Sequence, residues 1–213
     1  MMDVIFIPNM EVVGKVTPTA SVEEIESEIM LHSASVRFAR ERGGLLTQSM
    51  LDVIEPKLEN DKHYVIDTKS VMLMPGMFPS IPGWHCDGVV RQNHVAQPDL
   101  RKLDKDMKHW VGLISSNPDG TSNTEFLRES WSIPCEEQRV WGSVNDFLES
   151  MPTKTVMAAD GDIIEFTQPT LHRATATLNK GWRFFFRLSE YHKPPMNKIR
   201  HQVQVYAAPS SGW

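Results

Sequence analysis

Apolar and polar positions follow a helical period near the N-terminus and a strand period over much of the chain after residue 63. The opening MMDVIFIPNM holds a short apolar run that reads as a first strand. In SVEEIESEIMLHSASVRFARERGG, Ile25, Ile29, His32 and Val36 fall four, three and four apart. That spacing predicts one helix with Glu23, Glu26 and Arg40 on its wet side. Ser21 and Glu24 form a capping box at its start, and Gly43 stands where a stop belongs.

From His63, YVIDTKSVMLMPG is dense in β-branched and apolar residues and predicts one or two strands, ended by Pro75-Gly76. MFPSIPGW follows as a loop leading to His85. Residues 91–152 are less regular, with charged runs, a strand candidate in WVGLIS, a turn at Asn117 to Gly120 and a short helix opened by Ser143. The last third predicts strands in TKTVMAA, DIIEF, TLHRATAT, WRFFFRLSEY and HQVQVYA, with turns at Asp160-Gly161 and Asn179 to Gly181. Short strands at regular intervals imply an antiparallel sandwich or barrel, its one long helix covering a face. No repeat or linker divides residues 1–213, so one domain is expected, with 91–152 as an insertion carried by the same scaffold.

Composition narrows the class. A hydrophobic fraction of 40% and a charged fraction of 23% are ordinary for a globular protein. A net charge of -5 argues against a surface built to grip nucleic acid. The N-terminus matches neither a secretory signal nor a membrane span. Cys86 and Cys135 make no disulfide framework and no zinc spacing, which suits a reducing, cytoplasmic setting.

The chemistry concentrates at two places. His85 and Asp87 are two apart, so on extended backbone both side chains leave one face and can converge on one ion, while Cys86 points away. A turn with a salt-bridged aspartate would show the same pair. Weight comes from GDIIEFTQPTLHRATATLNKGWRFFFRLS, where a Gly-Asp turn, a strand, His172 and an arginine-bearing strand follow in order. Two imidazoles and one carboxylate on one side of a metal leave adjacent positions open, the arrangement of non-haem Fe(II) oxygenases.

This order of H-x-D, distal His and downstream Arg resembles the Fe(II)/2-oxoglutarate-dependent dioxygenase superfamily, and GDIIEF…LHR…GWR looks most like its phytanoyl-CoA dioxygenase-like branch. The likeness spans roughly residues 70 to 190 and rests on few motifs. It implies a mainly β fold with flanking helices, a double-stranded β-helix (jelly roll). It also implies Fe(II) on His85, Asp87 and His172, 2-oxoglutarate as cosubstrate, and O2 acting on a small-molecule or amino-acid-like substrate. The far carboxylate of 2-oxoglutarate needs a guanidinium fork, which lysine does not reproduce. Arg183 lies 11 residues after His172, and Arg187 lies 15 after it with Ser189 two further on. The two arginines share a strand face, and the Gly181-Trp182 turn before Arg183 favours Arg183.

His32, His63, His94, His109, His192 and His201 lack the spacing of a distal ligand. Trp84, beside His85, is the candidate to line the pocket among Trp84, Trp110, Trp131 and Trp141. Two other readings stay open: a cupin-like metalloenzyme that needs no 2-oxoglutarate, and a non-catalytic jelly-roll binding module.

Overall fold

A computed structural model describes residues 1–92 and 97–207. In chain order the elements are β1 (Met2–Phe6), β2 (Met10–Lys15), α1 (Val22–Ser27), β3 (Leu31–His32), α2 (Val36–Arg42), α3 (Leu45–Ile54) and β4 (Tyr64–Leu73). Then come β5 (Lys108–Ser115), β6 (Thr124–Leu127), β7 (Trp131–Cys135), α4 (Val140–Glu149), β8 (Thr155–Met157), β9 (Asp162–Thr167), β10 (His172–Ala174), β11 (Gly181–Glu190) and β12 (Lys198–Ile199). The structure is mainly β, and its strand ladders are antiparallel.

The larger sheet runs β2-β9-β5-β11-β4, and a smaller one runs β10-β6-β8. β11 pairs with β4 along its whole length, from Gly181 opposite Leu73 to Glu190 opposite Tyr64. Alternation along β11 assigns its two faces. Phe184, Phe186 and Leu188 are fully buried in one cluster with Ile25, Leu31, Met50, Leu51 and Ile54, so this face packs on the helical side. Burying each such side chain contributes about 1.5–3 kcal/mol. Arg183, Phe185 and Arg187 belong to the opposite face, whose register neighbours on β4 are Val71, Lys69 and Asp67. The two arginines of this strand thus share the inner face of the larger sheet. Val111, Phe126, Ile164 and Phe166 form a separate apolar cluster with members from both sheets.

Residues 91–152 supply β5 to the middle of the larger sheet, as well as β6, β7 and α4. The expected strands near 64, 108, 155, 162, 172 and 181 are present, as is the helix at α4. HQVQVYA is not a strand; it touches the body through one bridge, Tyr206 to Phe78.

The long helix expected over residues 21–43 is instead two short helices with β3 between them. The capping box at Ser21 and Glu24 does start α1. The helix ends because Glu28 turns its carboxylate into the protein. There it accepts from Gly44 N at 3.2 Å and from Thr47 Oγ1 at 2.8 Å. α3 has no side-chain cap of its own, so this buried carboxylate satisfies its orphan donors and complements its dipole. Ser33 then takes a left-handed φ of 49°, and Ser35 caps α2 by accepting from Phe38 N. Ile29 consequently lies exposed, and His32 sits on β3 rather than on a helix.

Candidate metal centre

The loop carrying Pro79 and Pro82 reaches the site through Gly83, whose φ of 117° is open to glycine and strained for other residues. The side chain of Asn145 on α4 fixes the next step: Oδ1 accepts from Trp84 N at 2.7 Å and Nδ2 donates to Trp84 O at 3.1 Å. His85 then exchanges both backbone hydrogen bonds with His172, each 3.0 Å. That is the hydrogen-bonded pair of an antiparallel ladder, which puts the two side chains on one face. Their ring centroids lie 4.7 Å apart. Gly88, at φ 70°, turns the chain away directly after Asp87. Cys86 points to the other side, into the cluster formed with Ile133, Trp141 and Val144.

One ligand atom each from His85, Asp87 and His172 lies within 4.8 Å of the others, so the three form a group that can hold a metal ion. Each imidazole is oriented from behind. Nδ1 of His85 meets Gly83 O at 2.9 Å, and Nδ1 of His172 meets Thr170 O at 3.0 Å. A carbonyl only accepts, so both Nδ1 atoms carry the hydrogen and Nε2 is the nitrogen each ring can give to a metal. His172 Nε2 faces Asp87 Oδ2 at 3.4 Å. Burial, reinforced by the nearby His172, lowers the pKa of His85 to about 4, so that ring is already in the metal-binding form at neutral pH. Phe126 and Phe166 flank the His172 ring at centroid distances of 5.6 and 4.9 Å.

Asp87 is held just as firmly. Burial acts to raise its pKa, but the Arg187 charge and the His172 contact outweigh it, so the carboxyl stays well below its usual range. Arg187 Nη1 donates to Asp87 Oδ1 at 2.6 Å, and Nη2 donates to Asp67 Oδ2 at 3.0 Å. Asp67 also meets His32 Nδ1 at 2.8 Å and Arg200 Nη2 at 3.3 Å. Burial opposes ionisation of Asp67 too, yet Arg187 and His32 bring its pKa down to about 2. Arg187 is therefore committed to two carboxylates, one of them in the triad.

Arg183 is differently placed. It is 3% exposed, its Nε donates to Ser122 O at 2.8 Å, and it makes no ion pair among the described residues. Burial pulls its pKa down to about 10, only partly offset by the charge of Asp160. It shares with the triad a cavity of about 160 Å³, lined also by Lys69, Val111, Thr124, Phe185 and Arg200. That volume far exceeds the roughly 10–15 Å³ one water needs.

No family model and no curated protein matches the sequence. The chain is similar to a solved structure described as "Non-heme monooxygenase, ThoJ-Ni complex", with TM-score 0.40 and 11% identity over 92% of this chain and 80% of that one. It is also similar to one described as "non-heme monooxygenase; ThoJ apo", with TM-score 0.42 and 10% identity over 97% of this chain and 83% of that one.

The structure brings together His85, Asp87, His172, Arg183 and Arg187 around one cavity, and leaves two expected residues outside its lining. Ser189 Oγ is 2.8 Å from His109 Nδ1 and is spent on that buried imidazole. Trp84 is 3% exposed in the cluster under α4, with the Arg173 guanidinium 4.4 Å over its ring, so its neighbour His85 takes the cavity side of the strand. Trp110 is on the helical side of the larger sheet, where its Nε1 donates to Glu165. Trp141 meets His85 edge-on at 6.5 Å. His94 falls outside the described residues, and His63, His192 and His201 are not in the triad group.

Sequence reading missed Asp67, Lys69 and Arg200, all of which line the cavity. A signal for the first two was present: acid and base two apart inside the apolar run YVIDTKSVML share one face of a strand.

Proposed function

We propose that this chain is an Fe(II)- and 2-oxoglutarate-dependent oxygenase built as one double-stranded β-helix (jelly-roll) domain over residues 1–213, acting on a small molecule. Free, buried Cys86 and Cys135 suit a reducing, cytoplasmic setting for it. One observation carries the reading: a His-Asp-His group shares a cavity with a buried arginine that has no carboxylate partner among the described residues. The donor set fits Fe(II), with two nitrogens and one carboxylate leaving adjacent positions for other ligands. The Nδ1–H bonds to Gly83 and Thr170 are the orienting contacts that metal-bound imidazoles require. Arg183 fits the far carboxylate of 2-oxoglutarate, because its Nε is spent on Ser122 and its two Nη groups are available as a fork.

When bound, iron and 2-oxoglutarate supply oxidative decarboxylation of the keto acid, giving succinate and CO2, coupled to oxidation of the substrate by O2. The protein's part is placement. His85, Asp87 and His172 hold the metal, Arg187 holds Asp87 so that Oδ2 faces His172, and Arg183 sets the direction of the cosubstrate. Val111, Phe166 and Phe185 give the cavity an apolar wall, backed by Phe126, that limits water around the reacting carbon.

Anaerobic addition of Fe(II) and 2-oxoglutarate should produce the weak visible charge-transfer band of a chelated keto acid. His85→Ala, Asp87→Ala and His172→Ala should each abolish it in folded protein. Metal-loaded, folded wild type that shows no band removes the cosubstrate from the reading and favours a metalloenzyme of another kind. Failure to bind metal at all favours a binding module.

A further inference from the structure

The inner cavity opens into an outer vestibule of about 680 Å³ lined by Gln202, Gln204 and Tyr206. The two spaces share Lys69, Pro79, Ser80, His85 and Arg200, so Lys69 and Arg200 stand with His85 where the outer space meets the inner one. Neither of these side chains is fully satisfied. The Lys69 ammonium makes no hydrogen bond or ion pair among the described residues, and Arg200 Nε is buried without a partner. Among the described residues no carboxylate lines the vestibule.

The charges around the inner cavity are mostly positive. The inner cavity is lined by Lys69, Arg173, Arg183, Arg187 and Arg200 against Asp67 and Asp87. Arg173 is paired with Glu125 at 2.7 Å. Asp67 and Asp87 between them engage Arg187 and Arg200. Lys69 and Arg183 are left without an ion-pair partner among the described residues. A divalent metal and a dianionic keto acid cancel each other, so even the fully loaded site keeps its excess positive charge. Arg183 lines the inner cavity and not the vestibule, whereas Lys69 lines both, so of the two only Lys69 borders the outer space. Burial and the neighbouring Arg187, Arg200 and Arg183 lower the pKa of Lys69 to about 8, an effect that the charge of Asp67 only partly offsets.

We propose that Lys69 and Arg200 form an anion subsite at the cavity mouth that takes the carboxylate or phosphate group of a small prime substrate. This rests on the oxygenase reading above, which supplies the neighbouring metal and cosubstrate. The subsite selects an oxyanion by two donors of like charge, and a neutral or cationic analogue leaves the Lys69 ammonium without an ion-pair partner.

The test uses the full chain loaded with Mn(II), which gives no turnover, and 2-oxoglutarate. Inorganic phosphate, hexanoate, 1-hexanol and hexylamine are titrated by calorimetry into wild type, Lys69→Met and Lys69→Arg, with circular dichroism to confirm folding. Lys69→Met keeps the length of the side chain and relieves repulsion, so the fold should persist. Phosphate or hexanoate should bind wild type, and the tighter of the two names the group. The alcohol and amine should not bind. The anion should bind Lys69→Met at least about tenfold more weakly, and Lys69→Arg should retain binding. Mn(II) and 2-oxoglutarate affinities should be unchanged in both variants.

Binding of neither anion to wild type at millimolar concentration overturns the proposal. So does equal anion binding to Lys69→Met, which would mean an adventitious ion only or an anion on the metal. Weaker 2-oxoglutarate binding in Lys69→Met overturns it as well, by moving Lys69 into the cosubstrate site while leaving the oxygenase reading intact. If wild type binds Mn(II) but not 2-oxoglutarate, the oxygenase reading fails by itself. The same phosphate and hexanoate titrations on the Mn(II) form then decide whether the subsite exists.

Discussion

Arg183→Met should make the protein more stable and worse at holding 2-oxoglutarate, opposite effects from one substitution. The fork that meets the far carboxylate makes two charge-assisted hydrogen bonds, together about 3–6 kcal/mol where water is excluded, so affinity should fall roughly 10²- to 10⁴-fold. Without cosubstrate the same guanidinium is a buried cation whose one hydrogen-bond acceptor among the described residues is the Ser122 carbonyl, with the Phe185 ring 5.3 Å away and only a partial offset from Asp160. Its pKa, drawn down from 12.5 to about 10 by burial, puts the cost of keeping it charged at about 3 kcal/mol. Methionine removes that cost and fills similar space, but leaves the Ser122 carbonyl short of a donor at about 1 kcal/mol. The net gain of about 2 kcal/mol should raise the melting temperature by roughly 4–8 °C in a chain of this size. Differential scanning fluorimetry of the metal-free protein reads the first effect, and calorimetric titration of 2-oxoglutarate into the Mn(II) form reads the second. A melting temperature that drops while 2-oxoglutarate affinity stays within about threefold would refute the reasoning. Arg183 would then be a structural residue held for its bond to Ser122.

Arg187→Lys should act on the metal instead: losing the bridge that fixes Asp87 through Asp67 should weaken Mn(II) binding roughly 10- to 100-fold, with a smaller change in 2-oxoglutarate affinity measured at saturating metal. A variant that weakens 2-oxoglutarate while metal affinity holds would make Arg187 the clamp. Asp67 sets an acid limit on stability. Its pKa of about 2 lies below the ordinary 3.8, so its contribution is complete above about pH 4 and is lost as pH falls through 2, amounting to about 2 kcal/mol. Asp67→Asn should flatten this limb in chemical denaturation curves between pH 4 and 2, and parallel curves for the two proteins would contradict the assignment.

The sequence by itself determined the mainly β character, because period-two alternation in YVIDTKSVML and WRFFFRLSEY fixes which side chains share a face whatever the partner strand. It likewise determined that, if the backbone there is extended, His85 and Asp87 leave one side of the chain and Cys86 the other. Local period failed over residues 21–43. There, spacing read a single helix, and a carboxylate needed 16 residues away, at Gly44, broke it. HQVQVYA alternates like a strand but found no sheet edge to join. The pairing of His85 with His172 was decided only by tertiary structure, because the ladder that sets the two imidazoles side by side joins residues 87 apart in sequence. So was the difference between Arg183 and Arg187. Both have the same parity on the same strand, and only the acids that folding brings to one of them, Asp67 from β4 and Asp87 from the loop after it, leave the other without a carboxylate. Strand geometry is a property of neighbouring residues, whereas which charges meet depends on which strands pair, and that is settled by burying Phe184, Phe186 and Leu188 against helices far along the chain.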